Sequence, residues 1–414
     1  MISHINNKHF IEGVSLEDIS QAHPTPFYVY SQSKITSTYE SLKNTLDTEI
    51  FYAIKANSNQ AIIKLMASLG AGADVVSVGE LERAITAGVS SKKIIFEGIG
   101  KTKNDIAYAI EKNIRLINVE SIDELERINK VALHQNTKVD IGIRLNPNID
   151  GKTIDKITTG KKTDKFGIDT DQLEEMFQIL KDLQNVNLIS ISCHVGSQIF
   201  SINVFTKIFQ KMKNNAQIFT DKGYSIKHVD LGGGLGVKYQ ENKDALNLQL
   251  LKEELNKCFN DTPYKLSFEP GRYLVANAGI LITSVITTKN NGGINFLVTD
   301  AGMHSLIRPA LYQAHHEIEA VNKDSNEFIN YTIAGPICES SDIFAKNIGL
   351  PKQKVGNLLV IKDTGAYGKV MASNYNSRGL PLEILVNNED FVVIHQPLNV
   401  KEFIALDQIP EWFN

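Results

Sequence analysis

The chain has 414 residues, 42% of them hydrophobic and 22% charged, the make-up of a globular protein large enough for one big domain and a smaller one. Its 43 Lys and Arg against 47 Asp and Glu leave a net charge of −4, and the basic residues are scattered, so no nucleic-acid-binding surface is expected. The N-terminus lacks the apolar core of a signal peptide, no apolar run is long enough to span a bilayer, and Cys193, Cys258 and Cys338 fit neither a disulfide framework nor a metal knuckle; a cytoplasmic enzyme or binding protein without metal is the default.

From residue 50 to about 275, short apolar strands alternate with amphipathic segments. EIFYAIK (49–55) comes first, followed by a helix around QAIIKLMASL that stops at Gly70. ADVVS (73–77) follows, with Ser77 and Glu80 spaced as a capping box for ELERAITA. Next come KKIIFEG (92–98) with NDIAYAIEK, IRLINVES (114–121) with DELERINKVAL, and VDIGIRLN (139–146), whose long polar loop leads into DQLEEMFQIL. LISISCHVG (188–196) precedes NVFTKIFQKMKN, KHVDLGGG (227–234) precedes LNLQLLKEEL, and YKLSFEPG (264–271) closes the series. Near-continuous apolar strands alternating with helices mean a parallel sheet covered on both faces. Eight such units fit an α/β fold of the (β/α)8 barrel type, usually about 250 residues; an open doubly wound sheet is the alternative on pattern alone.

After Ala276 the texture changes to GILITSVITT, INFLVTDAG, NYTIAG, GNLLVIKD, LPLEILVN and EDFVVIHQ, β-rich segments separated by turn residues. A C-terminal all-β domain, sandwich or barrel, is the simplest reading. The expected division is a barrel over 28–276 and a β-rich domain of 1–27 plus 277–414.

Some tempting motifs fail. GIGKT (98–102) lacks the first glycine of a P-loop, since position 95 is Ile95; DLGGGLGV lacks GxGxxG spacing because Val237 stands at the last position; HHEIEA (315–320) ends in Ala320 where a zincin helix needs histidine.

Barrel geometry is more informative. Active sites lie at the C-terminal ends of the strands, and phosphate commonly binds after strands seven and eight. Strand seven ends in Gly232-Gly233-Gly234 and strand eight in Glu269-Pro270-Gly271-Arg272. Consecutive glycines let backbone N–H groups close on phosphate oxygens, and an arginine adds charge; the plainer reading of these glycines is that they only make turns. Strand six ends in Cys193-His194-Val195-Gly196-Ser197, and strand one ends on an amine, Lys55, in FYAIKANSN (51–59). An amine, a phosphate cradle and a carboxylate are what pyridoxal 5′-phosphate requires: the lysine holds the aldehyde as a Schiff base, the loops hold the phosphate, and the acid keeps the pyridine nitrogen protonated.

The combination YAIKAN, CHVGSQ, LGGGLG, EPGR, CES and GAYG…ASNYN resembles the barrel-type pyridoxal-phosphate-dependent amino-acid decarboxylases, and within them the diaminopimelate decarboxylases, from about residue 25 to 386. RLNPNIDGKTIDKITTGKKTDKFGI (144–168) resembles the loop segment of that branch. Small departures are Ser77-Val78-Gly79-Glu80-Leu81 for the usual SGGEL and a less proline-rich SRGLPLEILV. The resemblance implies a homodimer with shared active sites. It also implies that Lys55, made neutral by burial and nearby positive charge, carries the cofactor, with Asp74 orienting it. His194 would lie against the ring and Glu269 at its nitrogen. Ser197, Gly233, Gly234, Pro270, Gly271, Arg272 and Tyr367 would hold the phosphate end. An arginine at the ring nitrogen, as in alanine racemases, would discourage delocalisation; glutamate favours decarboxylation.

The implied substrate is meso-2,6-diaminopimelate, a small molecule with a second amino-acid head. Arg308 and Tyr312 of RPALY match carboxylate-binding positions, assisted by Arg272, while Glu339 would take the distal ammonium and Tyr367 would touch substrate too. Cys338 matches the residue that protonates Cα, supplied from the partner subunit; on sequence alone it reads as a small buried apolar residue. The product would be L-lysine. A decarboxylase for ornithine, lysine or a carboxylated polyamine, and a non-catalytic regulatory homologue, are the alternatives.

Overall fold

The computed structural model describes residues 2–5, 8–151, 164–240, 245–321, 325–397 and 399–413; the 152–163 part of the loop segment noted above lies outside them. The chain divides into two compact units, one of Thr36–Lys238 and Asp244–Leu274, the other of Met1–Ile35, Tyr239–Lys243 and Val275–Asn414.

In the first unit eight parallel strands follow one another: β1 (Glu49–Ala53), β2 (Gly72–Val75), β3 (Ile94–Phe96), β4 (Leu116–Val119), β5 (Val139–Asn146), β6 (Val186–Ser192), β7 (His228–Asp230) and β8 (Lys265–Phe268). Each pairs with the next, and β8 returns to β1 through Ser267↔Glu49 and Phe268↔Ile50. This closure makes a barrel of the expected α/β type and excludes the open sheet. Phe51, Tyr52 and Ala53 stand opposite Gly72, Ala73 and Asp74, a register that sets the end of β1 beside that of β2.

Helices follow β1 to β7 in turn, at Gln60–Ser68, Val78–Thr86, Lys103–Glu111, Ile122–His134, Leu173–Asp182, Ile202–Asp221 and Leu248–Phe259. Several start on side-chain caps, each stabilising by about 1 kcal/mol. Asn59 accepts from Ala61 N, Ser121 from Glu124 N, and Thr102 with Asp105 forms a reciprocal box. The box expected at Ser77 is only half made. Ser77 Oγ accepts from Glu80 N, but the Glu80 carboxylate turns back one residue further and accepts from Val76 N at 2.8 Å.

At the N-terminal ends of the strands, Arg115 makes a two-pronged pair with Glu49 (2.8 and 2.6 Å) and lies 5.1 Å over the Phe51 ring. Phe51 packs with Ile95 and Leu116 in a small core cluster. Such features at that end of a barrel serve stability rather than chemistry.

The second unit is built on β-sheet. Gly279–Asn291 is its long central strand, antiparallel to Ile294–Thr299 and Leu358–Ile361. Phe27–Ser31 lies antiparallel to the same strand and parallel to Leu382–Asn387. The N-terminal boundary expected at residue 28 is therefore displaced: FYVYS is a strand of this unit, its apolar side chains Phe27 and Val29 packing with Ile280, Ile282, Val360 and Ile384. Strands not foreseen are Ile318–Ala320 within HHEIEA, Ile343–Pro351, and an N-terminal sheet of Ile2–Ile5, Lys8–Ile11 and Val14–Ser15. Among the described residues no helix is long and apolar enough to cross a membrane.

Candidate active site

The C-terminal ends of the barrel strands carry polar groups that the barrel encloses. Lys55 stands in a 3-10 turn, Ile54–Ala56, just beyond β1. That turn is fixed by Tyr52 OH, which donates to Asn57 O (2.8 Å), and by Asn59, which caps the helix that follows. A strand ending on a lysine before a helix thus holds an amine at the barrel mouth. Lys55 Nζ donates to the Asp74 carboxylate. The expectation of a buried amine with cationic neighbours is corrected here: the side chain is 37% exposed, and the ion pair is with a carboxylate. Asp74 itself is fully buried, and burial pushes its carboxyl up while Lys55 opposes that shift.

The loops after β6, β7 and β8 meet backbone to backbone. Gly232 (φ +69°) and Gly234 (φ +85°) adopt left-handed conformations. A Cβ on Gly232 would come within 2.2 Å of Cys193 O, on Gly233 within 2.3 Å of Glu269 O, and on Gly234 within 2.3 Å of Gly196 O. Gly271 packs equally closely on Ala53 and Ala56. The glycines therefore do more than turn the chain, because they bring three strand ends together. Gly233 N donates to His194 Nδ1 (3.1 Å). Desolvation, with Arg144 and Lys55 acting in the same sense, pushes the His194 imidazole down to about 3, so the ring is neutral and carries its proton on Nε2. Arg272 Nε donates to Ser197 Oγ (3.0 Å), which joins two of the expected phosphate contacts.

Glu269, just past β8, is buried, and among the described residues its Oε1 meets no hydrogen-bond partner. Burial pushes its carboxyl well above the usual range, and Asp230, Asp74 and Glu97 push the same way. A buried polar atom without a partner costs on the order of 1–3 kcal/mol unless something arrives to pair with it. Asp74, Glu97 and Asp230 all raise the proton affinity of the enclosed Glu269, against the opposing pull of Lys55, so this mouth suits a group that brings positive charge to Glu269. A protonated pyridine nitrogen is such a group. With a lysine, a neutral histidine, glycine loops and an arginine close by, the residues present fit pyridoxal 5′-phosphate.

In the β-rich unit, Arg308 opens a short helix, Arg308–Tyr312, and is 5% exposed. Tyr312 is half-buried, whereas Cys338 and Glu339 are exposed. Cys338 N donates to Asn376 Oδ1 (3.2 Å), and Glu339 Oε1 accepts from Tyr375 OH (2.7 Å). The loop bearing both is anchored by Asp342, which accepts from Ile337 N (2.7 Å) and Met303 N (2.6 Å). Tyr367 has φ +54°, a conformation a bulky residue holds only where its surroundings impose it. Cys193 is buried and Cys258 lies in a helix.

Residues 32–276 match the family model described as pyridoxal-dependent decarboxylase, pyridoxal binding domain. A curated diaminopimelate decarboxylase from Aquifex aeolicus is 39% identical over 94% of this chain and 93% of its own length, and one from Pseudomonas aeruginosa is 39% identical over 96% of each. The chain belongs to the diaminopimelate decarboxylases. A crystal structure of the M. jannaschii diaminopimelate decarboxylase in co-complex with L-lysine superposes with a TM-score of 0.94, at 36% identity over 99% of this chain and 98% of that one.

Several polar groups of this diaminopimelate decarboxylase barrel escaped the sequence reading. Arg144 on β5 donates to Glu120 (2.9 Å) and Glu97 (3.5 Å), the residues just past β4 and β3. Asp230 at the end of β7 accepts from Gly232 N (2.7 Å) and Ser267 Oγ (2.5 Å). For Glu97, Glu120 and Asp230 a signal was there, since each stands at or just past the end of an otherwise apolar strand; for Arg144 there was none.

Asp230 gives a pH prediction. Burial pushes its carboxyl up to about 7, against the pull of its two hydrogen bonds. A folded-state pKa raised above the unfolded value of about 4 contributes stability below that value, and the contribution is lost as pH rises through the folded value. Cofactor-free protein should therefore lose part of its Tm between about pH 5 and pH 8. Asp230→Asn, which keeps the acceptor for Gly232 N, turns the Ser267 bond into one the amide donates and does not titrate, should show a smaller loss; thermal scans of both proteins at the two pH values check it.

Proposed function

We propose that this chain decarboxylates meso-2,6-diaminopimelate to L-lysine and CO2, the final step of a route to lysine, using pyridoxal 5′-phosphate held by the barrel. The observation that carries the reading is the end-to-end match, over 94–99% of the chain, to proteins named for that one activity.

Bound there, the cofactor would supply the electron sink that takes up the pair left at Cα when CO2 departs. Lys55 would hold its aldehyde carbon and exchange with the substrate amine, and Asp74 would keep that amine oriented. Glu269 would hold a proton at the ring nitrogen. Neutral His194 would lie flat against the ring without competing for that charge. Ser197, Gly233, Gly234, Pro270, Gly271, Arg272 and Tyr367 would hold the phosphate through backbone N–H groups, hydroxyls and one guanidinium.

Arg308, with Tyr312 and Arg272, would bind the distal carboxylate; Glu339 would bind the distal ammonium and Tyr367 would also touch substrate. Cys338 would return a proton to Cα. Its exposure in one chain accords with a site completed across a homodimer, the assembly we propose.

The test is CO2 release from meso-diaminopimelate with and without added pyridoxal 5′-phosphate. Release that depends on the cofactor, with ornithine and lysine not turned over, is the expected result. Turnover of ornithine or lysine in preference to diaminopimelate would replace this reading with that of a different amino-acid decarboxylase.

A further inference from the structure

We propose that His316 is the positioning residue for Arg308 and thereby a determinant of selectivity for a substrate with a second carboxylate; this rests on the reading of Arg308 given above. Arg308 is buried and held on two sides. Its Nε donates to His316 Nε2 at 3.2 Å, and its guanidinium carbon lies 5.1 Å from the centre of the Tyr239 ring. Tyr239 meets the His316 ring edge-on at 5.5 Å, so the three side chains pack as one group.

His316 is itself fixed by the sheet. It is 2% exposed and stands two residues before the strand Ile318–Ala320, which pairs antiparallel with Leu358–Ile361. Lys362 N donates to Glu317 O (2.9 Å), continuing that ladder, and Lys362 O lies 2.8 Å from His316 Nδ1. A carbonyl can only accept, so Nδ1 carries the hydrogen. The neutral ring then presents the Nε2 lone pair, which accepts from Arg308 Nε. The tautomer is thus set by a backbone carbonyl, and the guanidinium plane is set by the tautomer.

This has a consequence for recognition. A guanidinium binds a carboxylate two-pronged along either its Nε edge or its end-on edge. His316 takes the Nε edge, so a carboxylate met by Arg308 engages the two terminal nitrogens. Loss of the His316 acceptor would leave a buried N–H unsatisfied and let the guanidinium turn, weakening the grip on the distal carboxylate while the groups that do the chemistry stay in place.

The experiment uses the holoenzyme with meso-diaminopimelate. His316→Asn keeps a donor for Lys362 O but is too short to accept from Arg308, whereas His316→Gln restores an acceptor oxygen near the Nε2 position. His316→Asn should raise KM about ten- to a hundredfold with kcat changed by less than about threefold, the effect of one charge-assisted hydrogen bond. His316→Gln should recover most of that loss. In an Arg308→Ala background, His316→Asn should add no further loss of kcat/KM.

A full additive loss in that background, or a fall in kcat with KM unchanged, would overturn the proposal. So would an inactive Gln variant that still binds cofactor. If Arg308→Ala leaves KM unaltered, the reading of Arg308 fails, and the proposal with it, whatever His316 does. Should His316→Asn not fold, a His316→Gln variant with KM raised more than about tenfold is enough to reject the idea.

Discussion

Lys55→Ala should lower decarboxylation by roughly 10³-fold or more, the order seen when a covalent catalytic group is removed, and the purified variant should lack the visible absorbance of lysine-bound pyridoxal. Thermal unfolding of the variant separates this from a general loss of fold. Removing the amine leaves the fully buried Asp74 carboxyl without its cation. An unpaired buried charge is strongly destabilising, but burial has already pushed this carboxyl up, so it can take a proton and become neutral instead. The variant should therefore stay folded, with a Tm within several degrees of wild type. Wild-type protein that remains colourless in excess cofactor, or a Lys55→Ala variant with substantial activity, would remove Lys55 from the proposed mechanism.

Much of the barrel was legible because its signal is local. A strand such as IIF or LINV, buried along its whole length, declares itself by an unbroken apolar run, and the helix behind it by its period and cap. The same rule placed Lys55, His194 and Glu269 at strand ends, where a barrel keeps its chemistry. What stayed hidden depends on long-range pairing. Phe27–Ser31 reads as an apolar strand, but only its partners, Gly279–Asn291 and Leu382–Asn387, assign it to the β-rich unit. Ile343–Pro351, IFAKNIGLP, mixes exposed polar residues with a glycine, so it has too little alternation to stand out.

Polar residues were misread for a related reason. Nothing in VDIGIRLN says that Arg144 turns inward to meet Glu97 and Glu120 rather than outward to water. Likewise His316 was weighed only as half of a metal motif. Its bonds to Arg308 and to the Lys362 carbonyl join positions 8 and 46 residues away, beyond the reach of any local pattern. The expected environment of Lys55 was wrong because exposure at a strand end depends on the loops around it, which sequence does not fix.

Glu269→Gln should reduce kcat about 10²–10³-fold with little change in KM, the scale set by removing one preorganised electrostatic partner of the reacting system. The substitution keeps the size and one acceptor oxygen and deletes the charge. In the wild-type chain the carboxyl is enclosed, its Oε1 has no partner among the described residues, and three nearby carboxyls raise its affinity for a proton. This arrangement is unfavourable for an isolated acid and favourable for an acid that meets a cation. A protonated ring nitrogen would supply that cation, and by reciprocity the carboxylate would hold the proton on the ring. Glutamine can accept the same hydrogen bond but cannot balance the charge, so the proton on the ring becomes easier to lose while substrate binding elsewhere is untouched. Asp230, whose carboxyl also shifts upward and acts on Glu269, supplies a control: Asp230→Asn removes a neighbouring acid but not the partner itself, and should cost far less in kcat than Glu269→Gln. Steady-state kinetics of the three proteins decide it. Equal losses in the two variants would mean that the mouth responds to total charge rather than to one carboxylate at one atom.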